Sequence, residues 1–156
     1  MRRFGRVCTL AVLGLGLTAP VSRADEEKIP LNQVPRAVTE AFKVRFPEAT
    51  IKNAIKEEEG GKTTYEVEST LRNGLSIDAV LRPDGEFVEI EKEIKPSELP
   101  APVAAGARAK YPTAKVEKAE EVLSDGKTSY EVTVKKQDGK SAVLVFDKDG
   151  KFIEEE

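Results

Sequence analysis

The chain has no histidine and no tryptophan, and only one cysteine and one methionine among its 156 residues. Without histidine it lacks the commonest general base and the commonest transition-metal ligand. Cys8 lies in an N-terminal segment that reads as a secretion signal. The chain downstream of that segment therefore has no thiol for catalysis, for a metal site or for a disulfide. Its glycines are spaced as turns rather than clustered ahead of a helix, so no phosphate-binding loop is present. Aromatic residues are few as well, six Phe and three Tyr. No cofactor motif and no catalytic residue emerges, and the sequence reads as that of a non-enzymatic protein.

The first two dozen residues differ from the rest. Arg2, Arg3 and Arg6 form a basic start, Val7 to Leu17 is almost wholly apolar, and Ser22-Arg23-Ala24 supplies small residues at the expected cleavage point. This three-part pattern predicts a signal peptide over residues 1–24, and hence a periplasmic or secreted protein. The apolar run is short for a membrane span. An uncleaved N-terminal anchor is the alternative reading. Cleavage removes four of the 25 basic residues and none of the 28 acids, leaving 21 − 28 = −7. Such an acidic chain excludes nucleic acid as a partner and, once the signal is gone, an anionic membrane surface.

Beyond residue 24 the chain says nearly the same thing twice. A shift of 65 residues (Pro100 against Pro35) superposes Val34-Pro35 on Leu99-Pro100 and Phe46-Pro47 on Tyr111-Pro112. It also superposes Gly61-Lys62-Thr63-Thr64-Tyr65-Glu66-Val67 on Gly126-Lys127-Thr128-Ser129-Tyr130-Glu131-Val132, and Asp84-Gly85 on Asp149-Gly150. Repeats are assigned to residues 25–93 and 94–156. Each opens on an apolar stripe with helical spacing: Val34, Val38, Phe42 and Phe46, then Leu99, Val103, Ala107 and Tyr111. Asn32 is the expected cap of the first helix, Pro35 suits its first turn, and Pro47 stops it. Gly106 weakens the second helix by about 1 kcal/mol relative to alanine, or marks a close approach to the sheet.

The remainder of each repeat reads as four strands joined by three tight turns, at Gly60-Gly61, Asn73-Gly74, Asp84-Gly85 and their counterparts. Alternation places Tyr65 and Val67 on one face and Glu66 and Glu68 on the other; Tyr130 and Val132 oppose Glu131, Thr133 and Lys135 in the same way. Ile77, Ala79 and Leu81 face inward, with Asp78 outward. The fold class is α+β, with two tandem α-β-β-β-β units, each a helix on a four-stranded antiparallel meander. The short connector Glu91–Leu99 allows one continuous eight-stranded sheet.

Function has to be sought on the outward face. Glu66, Glu68, Asp78, Glu131, Thr133 and Lys135 are its candidate binding residues. The face is expected to be solvated and free of aromatic rings, so contacts there would be polar and salt-sensitive. The aromatic residues sit instead at core-like repeat positions. Carboxylate runs at Glu57–Glu59, Glu89/Glu91/Glu93 and Glu154–Glu156 raise the alternative of a calcium-binding or calcium-buffering protein, since hard cations take carboxylate oxygens. Asp84 and Asp149 are explained by their turns.

The set Val34-Pro35…Phe42…Phe46-Pro47-x-Ala49, Gly61-Lys62-x-x-Tyr65-Glu66-Val67 and Asp84-Gly85-x-Phe87-Val88-Glu89, present in both copies, resembles the PepSY-like family of exported bacterial proteins. That family is similar to the beta-lactamase inhibitor protein. The resemblance implies a helix on a four-stranded antiparallel sheet, twice. It also implies a periplasmic or secreted location, and a role in binding or inhibiting an extracytoplasmic protein or peptide, such as a peptidase.

Overall fold

A computed structural model describes residues 25–156; the expected signal peptide lies outside the described residues. Nine strands form a single sheet in strict sequence order, and every neighbouring pair is antiparallel. They are β1 (Asp25–Ile29), β2 (Thr50–Glu59), β3 (Lys62–Thr70), β4 (Ser76–Leu81), β5 (Phe87–Ile94), β6 (Lys115–Ser124), β7 (Lys127–Lys135), β8 (Ser141–Asp147) and β9 (Phe152–Glu155). Helix α1 (Arg36–Arg45) joins β1 to β2, and α2 (Ala101–Lys110) joins β5 to β6.

The sheet is continuous, but it has one strand more than the eight expected. The extra strand, β1, has its counterpart in the second half of β5. Asp25–Ile29 lies 65 residues before Ile90–Ile94, the second half of β5. The 3-10 turn Leu31–Gln33 lies 65 residues before its counterpart Pro96–Glu98. Even the pairing is preserved, Ile29 opposite Ala54 and Ile94 opposite Ala119. Each unit thus opens with a strand, a 3-10 turn and a helix, and the helix is the connection of a long hairpin. The strand β1 escapes hydrophobic patterning because only Ile29 on it is buried. Its backbone bonds to β2 hold it, and charged side chains on an edge strand discourage further pairing. The connector also shrinks, since Glu91–Ile94 belongs to β5 and only the 3-10 turn and its flanks remain.

Both helices lie on the same face of the sheet. On β3 the alternation puts Tyr65, Val67 and Ser69 inward, and register carries that face through Ile77, Ala79 and Leu81 to Ile90 and its neighbour Leu123. Val34, Val38 and Phe42 cover it in the first unit. Val103 and Ala107 cover Tyr130, Val132, Val134, Leu144 and Phe146 in the second. Asn32 does not cap α1; it falls inside the 3-10 turn, and Pro35 takes the cap position with no side-chain bond. Gly106 does mark a close approach, because a Cβ there would stand 2.8 Å from Phe146 Cε1 and 3.0 Å from the Gly150 carbonyl oxygen.

Candidate functional site

No helix covers the opposite face of the sheet among the described residues. Strand alternation sends Glu66 and Glu68 of β3 there, and cross-strand register does the rest. Glu68 stands opposite Asp78, and Asp78 opposite Glu91, a row of three carboxylates on adjacent strands β3, β4 and β5. Beside it, Glu93 stands opposite Glu120 and Glu120 opposite Glu131, a second row across β5, β6 and β7. Directly opposed like charges destabilise a sheet pair. Two adjacent rows of them are therefore costly for folding.

Counter-charge is sparse. Lys118, only 14% exposed, pairs with Glu120. Lys135 reaches Glu117 at 3.5 Å at the far end of β7. Neutral donors do part of the work. Asn53 Nδ2 donates to Glu68 at 2.5 Å, the Ser69 N–H to Asp78 at 3.3 Å, and the Ser76 hydroxyl to Glu93 at 3.0 Å. Apolar side chains are interleaved with the acids. Val80 stands between Glu66 and Glu89, and Val122 opposite Glu91. Val122 and Val145 are buried yet belong to neither core cluster.

This environment departs from the solvated face expected from the sequence. Glu66, Glu68, Asp78, Glu131 and Thr133 are half-buried, and Glu57, Glu89 and Glu120 are buried; only Lys135 among the six candidates is exposed. The consequence is chemical. Burial first, and neighbouring carboxylates second, push Glu66 and Glu131 up to about 7. Burial pushes Asp78 up to about 6, against the lowering effect of the Ser69 N–H and Lys118. Burial, then Glu131 and Glu120, push Glu91 up to about 9. Glu57 and Glu89 are raised too, chiefly by burial; hydrogen bonds with Ser124 and Glu91 hold Glu89 back. Near neutral pH the face is a partly protonated acid array.

Register gathers Glu66, Glu68 and Asp78 on β3–β4, and Glu131 and Thr133 on β7. Strands β5 and β6 lie between the two groups. The members the sequence reading left out of the face are Glu89, Glu91 and Glu93 of β5 and Glu120 of β6. The spacing of the β5 glutamates, every second residue, already placed them on one side of a strand. Glu120 was hidden by the β-bulge between Val116 and Lys118, which shifts the alternation of β6. No group of three or more carboxylates stands close enough to hold a metal ion among the described residues. No helix of the described residues is long and apolar enough to cross a membrane.

Comparison with known proteins places this geometry. The model of a family described as beta-lactamase-inhibitor-like and PepSY-like matches residues 22–81 and 65–154. A search of curated proteins finds no match. Among solved structures, a presumed periplasmic protein of Bacteroides eggerthii is 20% identical with a TM-score of 0.66, over 79% of this chain and 88% of that one. A BLIP-like protein of Bacteroides fragilis is 23% identical with a TM-score of 0.59, over 78% and 84%. A DUF2874 family protein of Bacteroides uniformis is 18% identical with a TM-score of 0.63, over 78% and 88%. At these identities the three structures establish a shared fold.

Proposed function

Because this chain belongs to the PepSY-like, beta-lactamase-inhibitor-like family, we propose that it is a non-enzymatic exported binding module. Its helix-free sheet face would take a basic protein segment or peptide outside the cytoplasm. One observation carries this reading: two rows of three opposed carboxylates, with Lys118 the cation set among them. The array destabilises the free protein, and a cationic partner relieves it by supplying the missing counter-charge. The interleaved Val80, Val122 and Val145 add apolar contact, and the face carries no aromatic ring. A regulator or inhibitor would act by covering its target with this face. The family and the periplasmic description of a structural relative support export.

The test is capture from a cell-envelope fraction by the wild type and by the doubly charge-reversed variant Glu66→Lys/Glu131→Lys. The wild type is expected to retain basic proteins that elute as salt is raised, and the variant to lose them. Recovery of the same proteins by both would sink the proposal. A melting shift with millimolar calcium, removed by the same substitutions, would favour the cation-binding alternative instead.

A further inference from the structure

The two units differ most where α1 and α2 meet the sheet. In the first, Phe42 is fully buried and its ring stands 5.2 Å from that of Phe46. Sixty-five residues on, the same pair of positions holds Ala107 and Tyr111. The larger Phe146, in place of Leu81, recovers volume only on the Gly106 side of α2, where its ring edge would touch a Cβ at 2.8 Å. On the Tyr111 side a cavity of about 350 Å³ remains, and Phe146 is not among its walls. Leu99, Ala107, Tyr111, Val116 and Val134 form its apolar lining. Val134 replaces Ser69, whose hydroxyl donates to the Ile77 carbonyl, so the floor of the cavity is apolar as well.

One charge stands at the mouth. Arg108, exposed on α2, lines the cavity, and its side chain has no ion pair or hydrogen bond among the described residues. Its neighbours do not compete for it. Glu155 is held by Lys110 at 3.2 Å, Lys136 at 3.7 Å and the Tyr111 hydroxyl at 2.6 Å. A cavity of this size, with polar as well as apolar surface and one free guanidinium at its rim, suits a small amphipathic molecule. The guanidinium fork matches a carboxylate in two parallel bonds.

We propose that the cavity between α2 and strands β6–β7 binds a compact amphipathic carboxylate, a short acyl chain or single ring with its acid group on Arg108. The site is independent of the acidic face and lies on the other side of the sheet. Hexanoate and 1-hexanol are the probes, followed by methyl NMR on the whole chain. Hexanoate at millimolar concentration is expected to shift the Ala107, Val116 and Val134 methyls and to leave Val80 and Val122 on the acidic face unmoved. Arg108→Gln should weaken hexanoate about tenfold, the scale of a lost charge-assisted contact, and change hexanol little. Ala107→Phe supplies the ring that the first unit carries, and should abolish both. If crowding against Phe146 unfolds that variant, Ala107→Leu is the milder plug. The proposal is overturned if hexanoate moves none of the three methyls. It is equally overturned if a folded plugged variant binds as well as the wild type, or if Arg108→Gln weakens both probes alike.

Discussion

Phe42 and Ala107 occupy the same place in the two units, as do Leu81 and Phe146. In the first unit the large ring stands on the helix and the sheet offers leucine. In the second the ring has moved to the sheet, and the helix makes room for it with Gly106. What the copies keep is what the backbone demands: the 3-10 turn, the helix stop and the close glycine turns. Gly85 and Gly150 both have positive φ, and both lie under their helices, where an added Cβ would stand 2.8 Å from the Ala37 carbonyl oxygen and 2.5 Å from the Pro102 carbonyl group. Where the backbone makes no demand, side-chain volume has drifted, and the drift leaves a ring at Phe42 in one unit and a cavity beside Ala107 in the other.

The sharpest way to break this comparison is to open the filled unit. Phe42→Ala removes a fully buried ring that touches Phe46, and should cost about 3–5 kcal/mol. Urea denaturation at neutral pH measures it. A loss below about 1 kcal/mol would mean that the first unit is not organised around Phe42 and that the contrast with Ala107 carries no weight.

A second comparison sets the seam between the units against the edge of the sheet. Glu91 and Glu26 hold equivalent places, 65 residues apart, yet Glu91 is half-buried on the central strand β5 and Glu26 exposed on β1. Folding raises Glu91 to about 9, and Glu66 and Glu131 to about 7. A carboxyl raised by folding binds its proton more tightly in the native state. Its contribution is fully present below the unfolded value near 4.5 and is lost as pH rises through the folded value. The protein should therefore be more stable near pH 5 than near pH 8, with the loss continuing toward 9 through Glu91. Glu91→Gln, isosteric with the protonated acid, should flatten this slope. Allowing for solvent screening, it should gain about 1–2 kcal/mol at alkaline pH and little in acid. Glu26→Gln should stay within about 0.5 kcal/mol at either pH. Matching profiles for the two variants would show that burial at the seam is not what sets these groups apart.

Much of this was legible in the chain, and the misses have physical reasons. Helices, turns and strands β2 to β9 follow from apolar period, proline stops and glycine turns, each a local signal. Strand β1 was not legible, because an edge strand with one buried residue needs no hydrophobic alternation. The direction of Glu66, Asp78 and Glu131 was readable from period two. Their burial was not, because it comes from Val80, Val122, Val145 and the carboxylates on neighbouring strands. The cavity at Ala107 was hidden for a similar reason. The 65-residue shift sets Phe42 on Ala107 and Leu81 on Phe146, but which side of the helix the new ring fills depends on Gly106.

The smallest effect probes a feature the units share. Arg45 and Lys110 end their helices at equivalent positions, and each stands over the aromatic ring that opens an equivalent strand, Phe87 of β5 and Phe152 of β9. The Arg45 guanidinium is 5.3 Å from the Phe87 centroid and 5.8 Å from that of Phe46. Lys110 Nζ is 3.3 Å from the Phe152 centroid and 3.2 Å from Glu155. Both cations also favour the carbonyl end of the helix. Arg45→Ala and Lys110→Ala should each cost about 0.5–1 kcal/mol. Salt separates them: the part of the Lys110 effect that comes from Glu155 is a surface ion pair, screened at about 1 M salt, whereas the stacking of Arg45 on two rings persists. Double-mutant cycles with Phe87→Leu and Phe152→Leu isolate the ring terms. Equal coupling in high salt would make the two contacts one conserved device of the fold. A coupling that vanishes only for Lys110 would show that the second unit has exchanged ring stacking for an ion pair.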